Sequence, residues 1–508
     1  MNVTGLRIGL VWVGLTVVCV LAAAAAQGQE VAGAGDDVVS ADTATGMAAA
    51  AAVKPLAKKF HVSSYPIAVT GGKPFSLAAN FFDDRFVPAA PVSNYGFPSP
   101  ITPVANADGS LDIAWLDYSG GGALPSASGL AALGAINITH VNPDLSAGKT
   151  TATGIKTYRL LGFTRDPAGN FYLAYNADSS FKTTKSGDPN NVNGNELRVA
   201  RSASASFATK AWETIVFGNV DNTQPNSAGG AGSAGSGVLG YDAQNKVLVA
   251  YLAHDMAWDL NGVRHQAGIL RLVDANSGAT IQPTNGNPWE TGSGWFYSHN
   301  FAQRLLVDGG TYYTLAHGDA YSRQLGLAAF TEAKYKSNDS TVFNTDYWSI
   351  AGGVGDNDTN AETGQFFKLS STQFAIAHTT SDGRSARDVR LVLAAVASGA
   401  PQSSAWLTTN AANQQAVMPK VGALGQRIFL SYGVWDSTSR TNHAITWYGR
   451  LLDQTLKPVA DPVKLNGVEF VAAQPLFTFA GGANAGVLGW VSGNAQGGLT
   501  LNVVRAGS

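Results

Sequence analysis

A short apolar segment containing a small residue followed by an aromatic residue or His recurs seven times along the chain. The copies read LDIAWLD, FYLAYNAD, VLVAYLAHD, YTLAHGD, FAIAHTTSD, IFLSYGVWD and GVLGWVSGN. Neighbouring copies are 54 to 76 residues apart when they are aligned on their small residues, which are Ala114, Ala174, Ala250, Ala316, Ala377, Ser431 and Gly489. Repetition at a period of this order is typical of chains that build one supersecondary unit many times.

The segments around each copy repeat as well. Another apolar segment and a tight turn precede it, as in YRLLGFTRDPAGN and AQRLLVDGGT, and a third apolar segment follows, as in LRVARS and VRLVLAAV. Asp and Gly suit these turns because Asp can accept hydrogen bonds from its own backbone and Gly tolerates positive φ. No segment keeps an apolar period of 3.6 residues, so few helices are expected. Each unit is therefore predicted to be a β-meander with room for a fourth, outer strand.

Seven such units predict an all-β fold, a seven-bladed β-propeller of four-stranded antiparallel blades. The last unit ends at Ser508 with three visible strands. An N-terminal strand, with YPIAVTG at 65–71 as the candidate, is expected to add the fourth strand and close the ring. Two consecutive β-sandwiches are the alternative, although they would not show an evenly distributed sevenfold pattern. The poorly patterned residues 60–95 leave the blade count open by one.

The stretch RDPAGNFYLAY resembles the D-x-x-G-N-x-Y-V turn and strand of NHL-like and related secreted propellers. Asp166, Gly169, Asn170 and Tyr172 carry the resemblance. It implies the propeller fold and no particular activity, because propellers serve many functions. The S/T-x-D-x-G-x-x-W turn of sialidase-type propellers is a looser match, since the stretch from Thr164 to Tyr172 has one extra residue and no Trp.

The N-terminus has the pattern of an export signal. Arg7 precedes an apolar run from Ile8 to Ala26, which predicts a signal peptide at 1–26, with an uncleaved signal anchor as the alternative. Residues 27–59 are predicted to be an Ala/Gly-rich linker and 60–508 a single propeller domain. We therefore expect a secreted or cell-surface protein with no membrane span in the mature chain. Cleavage would remove Cys19, the only cysteine, so neither disulfides nor thiolate metal sites are expected.

Charge and motifs narrow the possible functions. Charged residues make up 13% of the chain and the formal net charge is −2, so no basic excess exists to neutralise the phosphates of a nucleic acid. The sequence has no G-x-S-x-G, H-E-x-x-H or Walker glycine loop, and thus no catalytic motif that assigns a reaction.

An Asp lies three to five residues beyond the aligned small residue in six of the seven units, and Asn494 takes its place in the last. These residues are Asp117, Asp178, Asp255, Asp319, Asp382 and Asp436. Because the second strand of every blade ends on the same face of a propeller, the series is expected to line one rim. Asp at a strand end commonly braces its own turn, which is the structural alternative. The candidates for a catalytic role are Asp319, His317 and Asp255.

Aromatic residues accompany this series in the predicted loops. A sugar can stack its apolar face on an aromatic ring while its hydroxyl groups bond carboxylates and amides. Ordinary packing between blades is the alternative role for the tryptophans. The predicted ligand-binding residues are Trp258, Trp295, His299, Asp319, Arg323, Trp435 and Asp436.

One further loop suggests a cation. The segment GDNDTNAE at 355–362 alternates Asp356, Asp358 and Asn360, and alternating oxygen ligands can wrap a hard cation such as Ca²⁺. A plain polar loop is the alternative.

The leading hypothesis is a secreted propeller that binds an extracellular ligand, a glycan, through its loop-rich face. The first alternative is a glycan-acting hydrolase or lyase that uses rim Asp residues as acid and base. The second is a structural or adhesion protein whose ring displays loops to a partner protein.

Overall fold

The computed structural model describes residues 58–76, 101–119, 133–178, 196–217, 230–231, 237–256, 266–281, 296–298, 300–318, 324–337, 341–349, 361–436, 438, 445–471 and 474–507. Residues Pro55–Ser508 form one compact unit. The predicted signal peptide and nearly all of the predicted linker lie outside the described residues, so these two domain assignments stay predictions.

Seven antiparallel sheets make up the described part of the chain, and each forms one blade. The first strand in the chain is β1 (Lys59–Ile67). Blade 1 then contains β2 (Ile101–Ala105), β3 (Leu111–Leu116), β4 (Gly134–Val141) and β5 (Ala147–Thr157). Blade 2 contains β6 (Leu160–Arg165), β7 (Phe171–Ala177), β8 (Glu196–Ser202) and β9 (Trp212–Phe217).

Blade 3 carries two additional short strands. It contains β10 (Gly230–Ala231), β11 (Gly237–Asp242), β12 (Val247–Met256), β13 (Gln266–Asp274), β14 (Thr280–Ile281) and β15 (Phe296–Ser298). Blade 4 contains β16 (Asn300–Asp308), β17 (Thr311–Gly318), β18 (Gln324–Thr331) and β19 (Phe343–Ser349), with helix α1 (Glu332–Lys336) after β18. None of the described helices has the length and hydropathy needed to cross a bilayer.

The remaining blades follow the same pattern. Blade 5 contains β20 (Ala361–Lys368), β21 (Gln373–Thr380), β22 (Asp388–Ala395) and β23 (Pro401–Trp406). Blade 6 contains β24 (Gln414–Leu424), β25 (Arg427–Asp436), β26 (Ile445–Leu452) and β27 (Val463–Leu465). Blade 7 contains β28 (Phe477–Thr478), a 3₁₀ turn (Gly482–Asn484), β29 (Leu488–Gly493) and β30 (Leu499–Gly507), and β1 is its outer strand. The predicted all-β, seven-bladed propeller is thereby confirmed.

Hydrophobic packing between neighbouring blades closes the ring. The described core divides into seven clusters, and each combines buried residues of two adjacent blades. In the cluster that joins blades 7 and 1, for example, Trp115 packs with Val491 and Leu501. The first strands of successive blades contact one another, β6 with β11 and β20 with β24 among them, which makes them the innermost strands.

Strand β1 closes blade 7 without a covalent link. It pairs antiparallel with β30 from Lys59↔Gly507 to Ile67↔Leu499. The closing strand therefore begins six residues before the predicted segment 65–71, because Phe60 and Val62 pack against the core cluster of blades 6 and 7. Pro66 is tolerated because an outermost strand leaves one row of backbone groups unpaired.

The seven aligned small residues all lie on second strands, as predicted, but two of them point the other way. Ala114, Ala174 and Ala377 pack toward the following blade, whereas Ala250 and Ala316 pack toward the preceding one. Side chains alternate between the faces of a strand, so a shift of one residue reverses the direction. The alignment on the small residue is therefore displaced by one position in blades 3 and 4.

Side-chain hydrogen bonds hold the turn between β6 and β7. The Asp166 carboxylate accepts hydrogen bonds from the Asn170 backbone N–H at 2.8 Å, from its side-chain amide at 2.7 Å and from the Tyr172 hydroxyl at 2.9 Å. Gly169 adopts φ +88°, which favours glycine. Four side-chain choices thus fix one turn and the start of one strand.

Candidate functional site

The topology collects the predicted acidic series on one face of the ring. All second strands occupy the same place in their blades, so all of them end on one face. We call it the loop face and define it by the last residues of these strands, Leu116, Ala177, Met256, Gly318, Thr380, Asp436 and Gly493. Asp117, Asp178, Asp255, Asp382, Asp436 and Asn494 all lie at or directly beyond these strand ends, and Asp319 lies outside the described residues.

Two of these carboxylates brace their own turns. One Asp117 oxygen accepts backbone N–H bonds from Lys73 at 2.9 Å and Ser119 at 2.8 Å. Asp436 accepts from the Thr438 backbone at 2.9 Å and from its hydroxyl at 2.7 Å, and these bonds hold the Asp436 pKa below its usual range. The structural alternative for the series, an Asp that braces its own turn, is therefore present at both positions.

Only some of the other predicted site residues lie within the described part of the chain. Trp435 is fully buried while the adjacent Asp436 is exposed, since consecutive strand residues face opposite sides. His317 and Asp255 lie on β17 and β12, where the backbone is described and the side chains are not. The residues outside the described ranges are Trp258, Trp295, His299, Asp319, Arg323, Asp356, Asp358 and Asn360. Their roles, and sugar stacking on Trp435, stay predictions.

No group of three or more His, Cys, Asp or Glu side chains within the described residues could hold a metal ion. The calcium loop predicted at 355–362 falls almost entirely outside those residues, so it stays a prediction as well.

The first strands of three successive blades are irregular just below the loop face. The pairing shifts between Phe301 and Arg304 in β16, between Thr363 and Phe366 in β20, and between Val417 and Lys420 in β24. Each shift is a β-bulge, and bulges re-aim side chains and are over-represented beside active sites. Beside the bulges, near the ring axis, lies a group of polar side chains that are buried except for the partly exposed Glu362. We call it the axial cluster: Arg304, Glu362, Gln365, Lys420 and Gln474.

Arg304 joins blades 4 and 5. Its guanidinium donates to the carbonyl oxygens of Gly364 at 2.7 Å, Thr363 at 3.1 Å and Gln303 at 3.1 Å. The side chain is 7% exposed. A buried cation is costly unless negative charge lies nearby, and the Glu362 carboxyl supplies it for Arg304.

The rest of the cluster reaches blade 7 and then blade 1. Lys420 Nζ donates to the carbonyl oxygen of Gln474 at 2.7 Å, and the Gln474 side chain donates to the carbonyl oxygen of Ile101 at 2.9 Å. The Gln365 amide bonds both the N–H and the carbonyl of Leu476, at 2.9 and 3.1 Å. The axial cluster therefore links the inner edges of blades 4 to 7 and of blade 1.

Glu362 is the carboxyl of the cluster. It lies deep in the protein, yet its side chain keeps partial contact with solvent. One oxygen accepts the Met418 N–H at 2.8 Å. Burial raises the Glu362 pKa, and the Met418 hydrogen bond with the nearby cations Arg387, Lys420 and Arg304 only partly opposes the rise. A carboxyl with a raised pKa can donate a proton or a neutral hydrogen bond near neutral pH.

Burial lowers the pKa of the two basic side chains of the cluster. It lowers the pKa of Lys420 well below its usual range, and the neighbouring Arg304 adds to the effect. The pKa of Arg304 falls to about 10, so this group stays charged at neutral pH. Several strongly shifted groups in one polar cluster are a common mark of a functional site, although structural networks produce them too.

The axial cluster was not predicted from the sequence, because Arg304, Glu362, Gln365 and Lys420 lie on first strands and the predicted acidic series lies at the ends of second strands. The available signal was a charged residue inside a first strand, as in AETGQFF and, among mostly apolar residues, VMPKVGAL. Such a residue is unusual at a buried position unless it is paired. The signal occurs in three consecutive blades, at Arg304, Glu362 and Lys420.

Comparisons with known proteins are distant. No family model matches the chain, and no curated protein matches it. Among solved structures, the chain resembles an exo-β-1,3-galactanase from Clostridium thermocellum with 13% identity and a TM-score of 0.27, covering 60% of each chain. It resembles the NanB sialidase of Streptococcus pneumoniae with 8% identity and a TM-score of 0.38, covering 74% of this chain and 70% of that one.

An exo-β-1,3-galactanase from Phanerochaete chrysosporium matches with 12% identity and a TM-score of 0.32, covering 87% of this chain and 97% of that one. Because all three TM-scores lie below 0.5, these likenesses do not bear on what this chain does. The NHL-like resemblance of the β6–β7 turn stays a prediction at the level of the family.

Proposed function

We propose that this chain is an exported propeller that binds a glycan at the loop face, with the axial cluster as the floor of the binding site. The observation that carries the proposal is Glu362, an inward carboxyl that retains contact with solvent and lies near the basic side chains of Arg387, Lys420 and Arg304. Carboxylate oxygens accept hydrogen bonds from sugar hydroxyl groups, and a low-dielectric site strengthens such bonds. Binding is expected to involve the rim residues Asp117, Asp382 and Asp436 as well.

A glycan array on the full chain, followed by titration of the best glycan, tests this proposal. Glu362→Gln keeps an oxygen for the Met418 N–H but removes the charged acceptor, so at a pH above the folded pKa of this carboxyl we expect at least a tenfold loss of affinity, about 1.4 kcal/mol. The matched control is Glu332→Gln on α1, which follows a third strand and so lies on the face opposite the loop face.

The control should bind as the unaltered chain does. An array on which no glycan binds would overturn the proposal and favour a structural or adhesion role. Equal affinity of the Glu362→Gln variant and the unaltered chain would show that the axial cluster is not part of the binding site.

The raised pKa of Glu362 favours a second candidate function, cleavage of the bound glycan. A glycosidase needs a carboxyl that is still protonated when it meets the glycosidic oxygen, and Glu362 has the environment for this role. The second carboxylate that such a reaction requires is a candidate among the rim Asp residues. Release of new reducing ends from the array-selected glycan, lost in the Glu362→Gln variant, would support cleavage. Binding of the glycan without release of reducing ends would contradict cleavage and agree with the binding proposal.

A further inference from the structure

A second concave site lies at the periphery of the ring, away from the axial cluster. A cavity of about 650 Å³ opens between the outer strand β5 of blade 1 and the outer half of blade 2. Cavities of this volume are typical of small-molecule sites in proteins. We call it the side groove, and its lining side chains that enter the argument are Lys156, Tyr175, Arg198, Phe207, Lys210 and Glu213.

The lining of the side groove is cationic. Lys156, Arg198 and Lys210 contribute positive charge, and Glu213 is the one carboxylate among the residues that line it. The side chains of Arg198 and Lys210 are 24% and 34% exposed, so both cations meet solvent in the groove. A concave surface with an excess of one charge raises the local concentration of ligands of the opposite charge.

The cations of blade 2 are held in fixed positions. Arg198 Nη1 donates to Glu213 Oε1 at 2.9 Å, and Arg198 Nε donates to Glu196 at 2.9 Å. Lys210 and the Tyr175 hydroxyl both donate to the other Glu213 oxygen. Burial alone would raise the Glu213 pKa, but the hydrogen bonds from Lys210 and Tyr175 outweigh it, and the pKa lies below its usual range. The carboxylate is therefore ionised and organises its donors before a ligand arrives.

Lys156 has a different environment on the opposite wall. It is exposed on β5, and it has no ion-pair partner within the described residues. Two residues away, Gly154 has φ +74° and an empty space where a side chain would stand, so the wall near Lys156 stays open. A ligand anion between the two walls could therefore contact Lys156 without displacing a partner from the described part of the chain.

We infer that the side groove binds an acidic saccharide, with its anionic group at Lys156 and Lys210 and its hydroxyl groups at Glu213 and Ser206. The positive excess selects the anion, while the Glu213 carboxylate and the Ser206 hydroxyl suit a polyhydroxylated ring. Phe207 and Ile155 supply apolar contact for the other face of the sugar. This site is separate from the axial cluster and does not depend on it.

Three probes that share one ring test the inference on the full chain by isothermal titration: glucuronic acid, glucose 6-sulfate and glucose. We expect both anionic sugars or one of them to bind, and glucose to bind at least tenfold more weakly, because glucose offers the lysines no charged acceptor. The two anionic sugars distinguish a carboxylate from a sulfate as the recognised group. Absence of binding by both, or equal binding of glucose, would overturn the inference.

Variants locate the site. Lys156→Gln should weaken anionic-sugar binding about tenfold, whereas Lys149→Gln should not, because Lys149 is an exposed lysine on the same strand that does not line the groove. Glu362→Gln should leave this binding unchanged, which separates failure of the inference from failure of the axial site. Equal effects of Lys156→Gln and Lys149→Gln would show a diffuse charge effect and overturn the assignment.

Discussion

At the scale of single residues, Glu362 and Met418 depend on one another. Met418 adopts φ +49°, a conformation that costs a non-glycine residue about 1–2 kcal/mol, at a buried position within a bulge. Its N–H is the group that donates to the Glu362 carboxylate. The strained backbone at Met418 thus presents its N–H to the poorly solvated Glu362 carboxyl. This one hydrogen bond offsets part of the cost of the strain and part of the cost of burying the carboxyl.

The raised pKa of Glu362 predicts a pH-dependent stability. In the unfolded chain this carboxyl titrates near 4.5, and in the folded chain it titrates higher. Between the two values the folded state binds more protons, so its stability falls as pH rises, by up to about 1.4 kcal/mol per pH unit, and levels off above the folded pKa. We expect the urea midpoint of the unaltered chain to fall relative to that of Glu362→Gln from about pH 4.5 upward.

Urea unfolding of both proteins across this window provides the measurement. The Glu362→Gln variant is the control for the unaltered chain, since it lacks this titration and shares every other ionisable group. If the difference between the two urea midpoints stays constant as pH rises, or changes in favour of the unaltered chain, then the pKa of Glu362 is not raised in the folded state.

Residue-level features were only partly predictable from sequence. The Asp166 turn was predictable, because its donors and acceptors lie within six residues of one another. The axial cluster was not, because Gln365 meets Leu476 and Gln474 meets Ile101 across large sequence separations. Local patterns carry no information on which strands will face each other across the axis.

At the scale of elements, bulges and register determine which side chains face inward. The bulges in β16, β20 and β24 aim polar groups at the axis in three consecutive blades. The existence and order of the strands could be predicted from the apolar repeat, since all seven second strands carry it. The face of the sheet toward which each small residue points could not be predicted. A displacement of one residue in blades 3 and 4 reverses that direction and leaves the repeat visible in the sequence.

The β1–β30 pairing makes a prediction of its own. Antiparallel partners have Cα atoms about 4.5–5.5 Å apart, within the range that a disulfide spans. His61→Cys with Arg505→Cys should therefore form a disulfide in a Cys19→Ser background, and oxidation should stabilise the chain by about 2–4 kcal/mol. Mass spectrometry of the cross-linked peptides and the urea midpoint measure the two effects.

The matched control pairs His61→Cys with Ala506→Cys. Adjacent strand residues point to opposite faces, so this second pair should stay reduced. Cross-linking in both pairs, or in neither, would contradict the register of β1 against β30.

At the scale of the whole molecule, the ring distributes its core among seven interfaces. Each interface joins only neighbours, and the N-terminal strand connects the last blade to the beginning of the chain. This architecture was predictable because a sevenfold repeat of meanders has few other compact solutions. It also brings all second-strand ends to one face, directly above the axial cluster.

A crystal structure of the full chain soaked with the best glycan from the array tests the central claim most directly. The account predicts an ordered sugar at the loop face, with one of its hydroxyl oxygens within about 3.2 Å of the Glu362 carboxyl. A glycan ordered on the opposite face, or on the loop face with the axial cluster untouched, would contradict it.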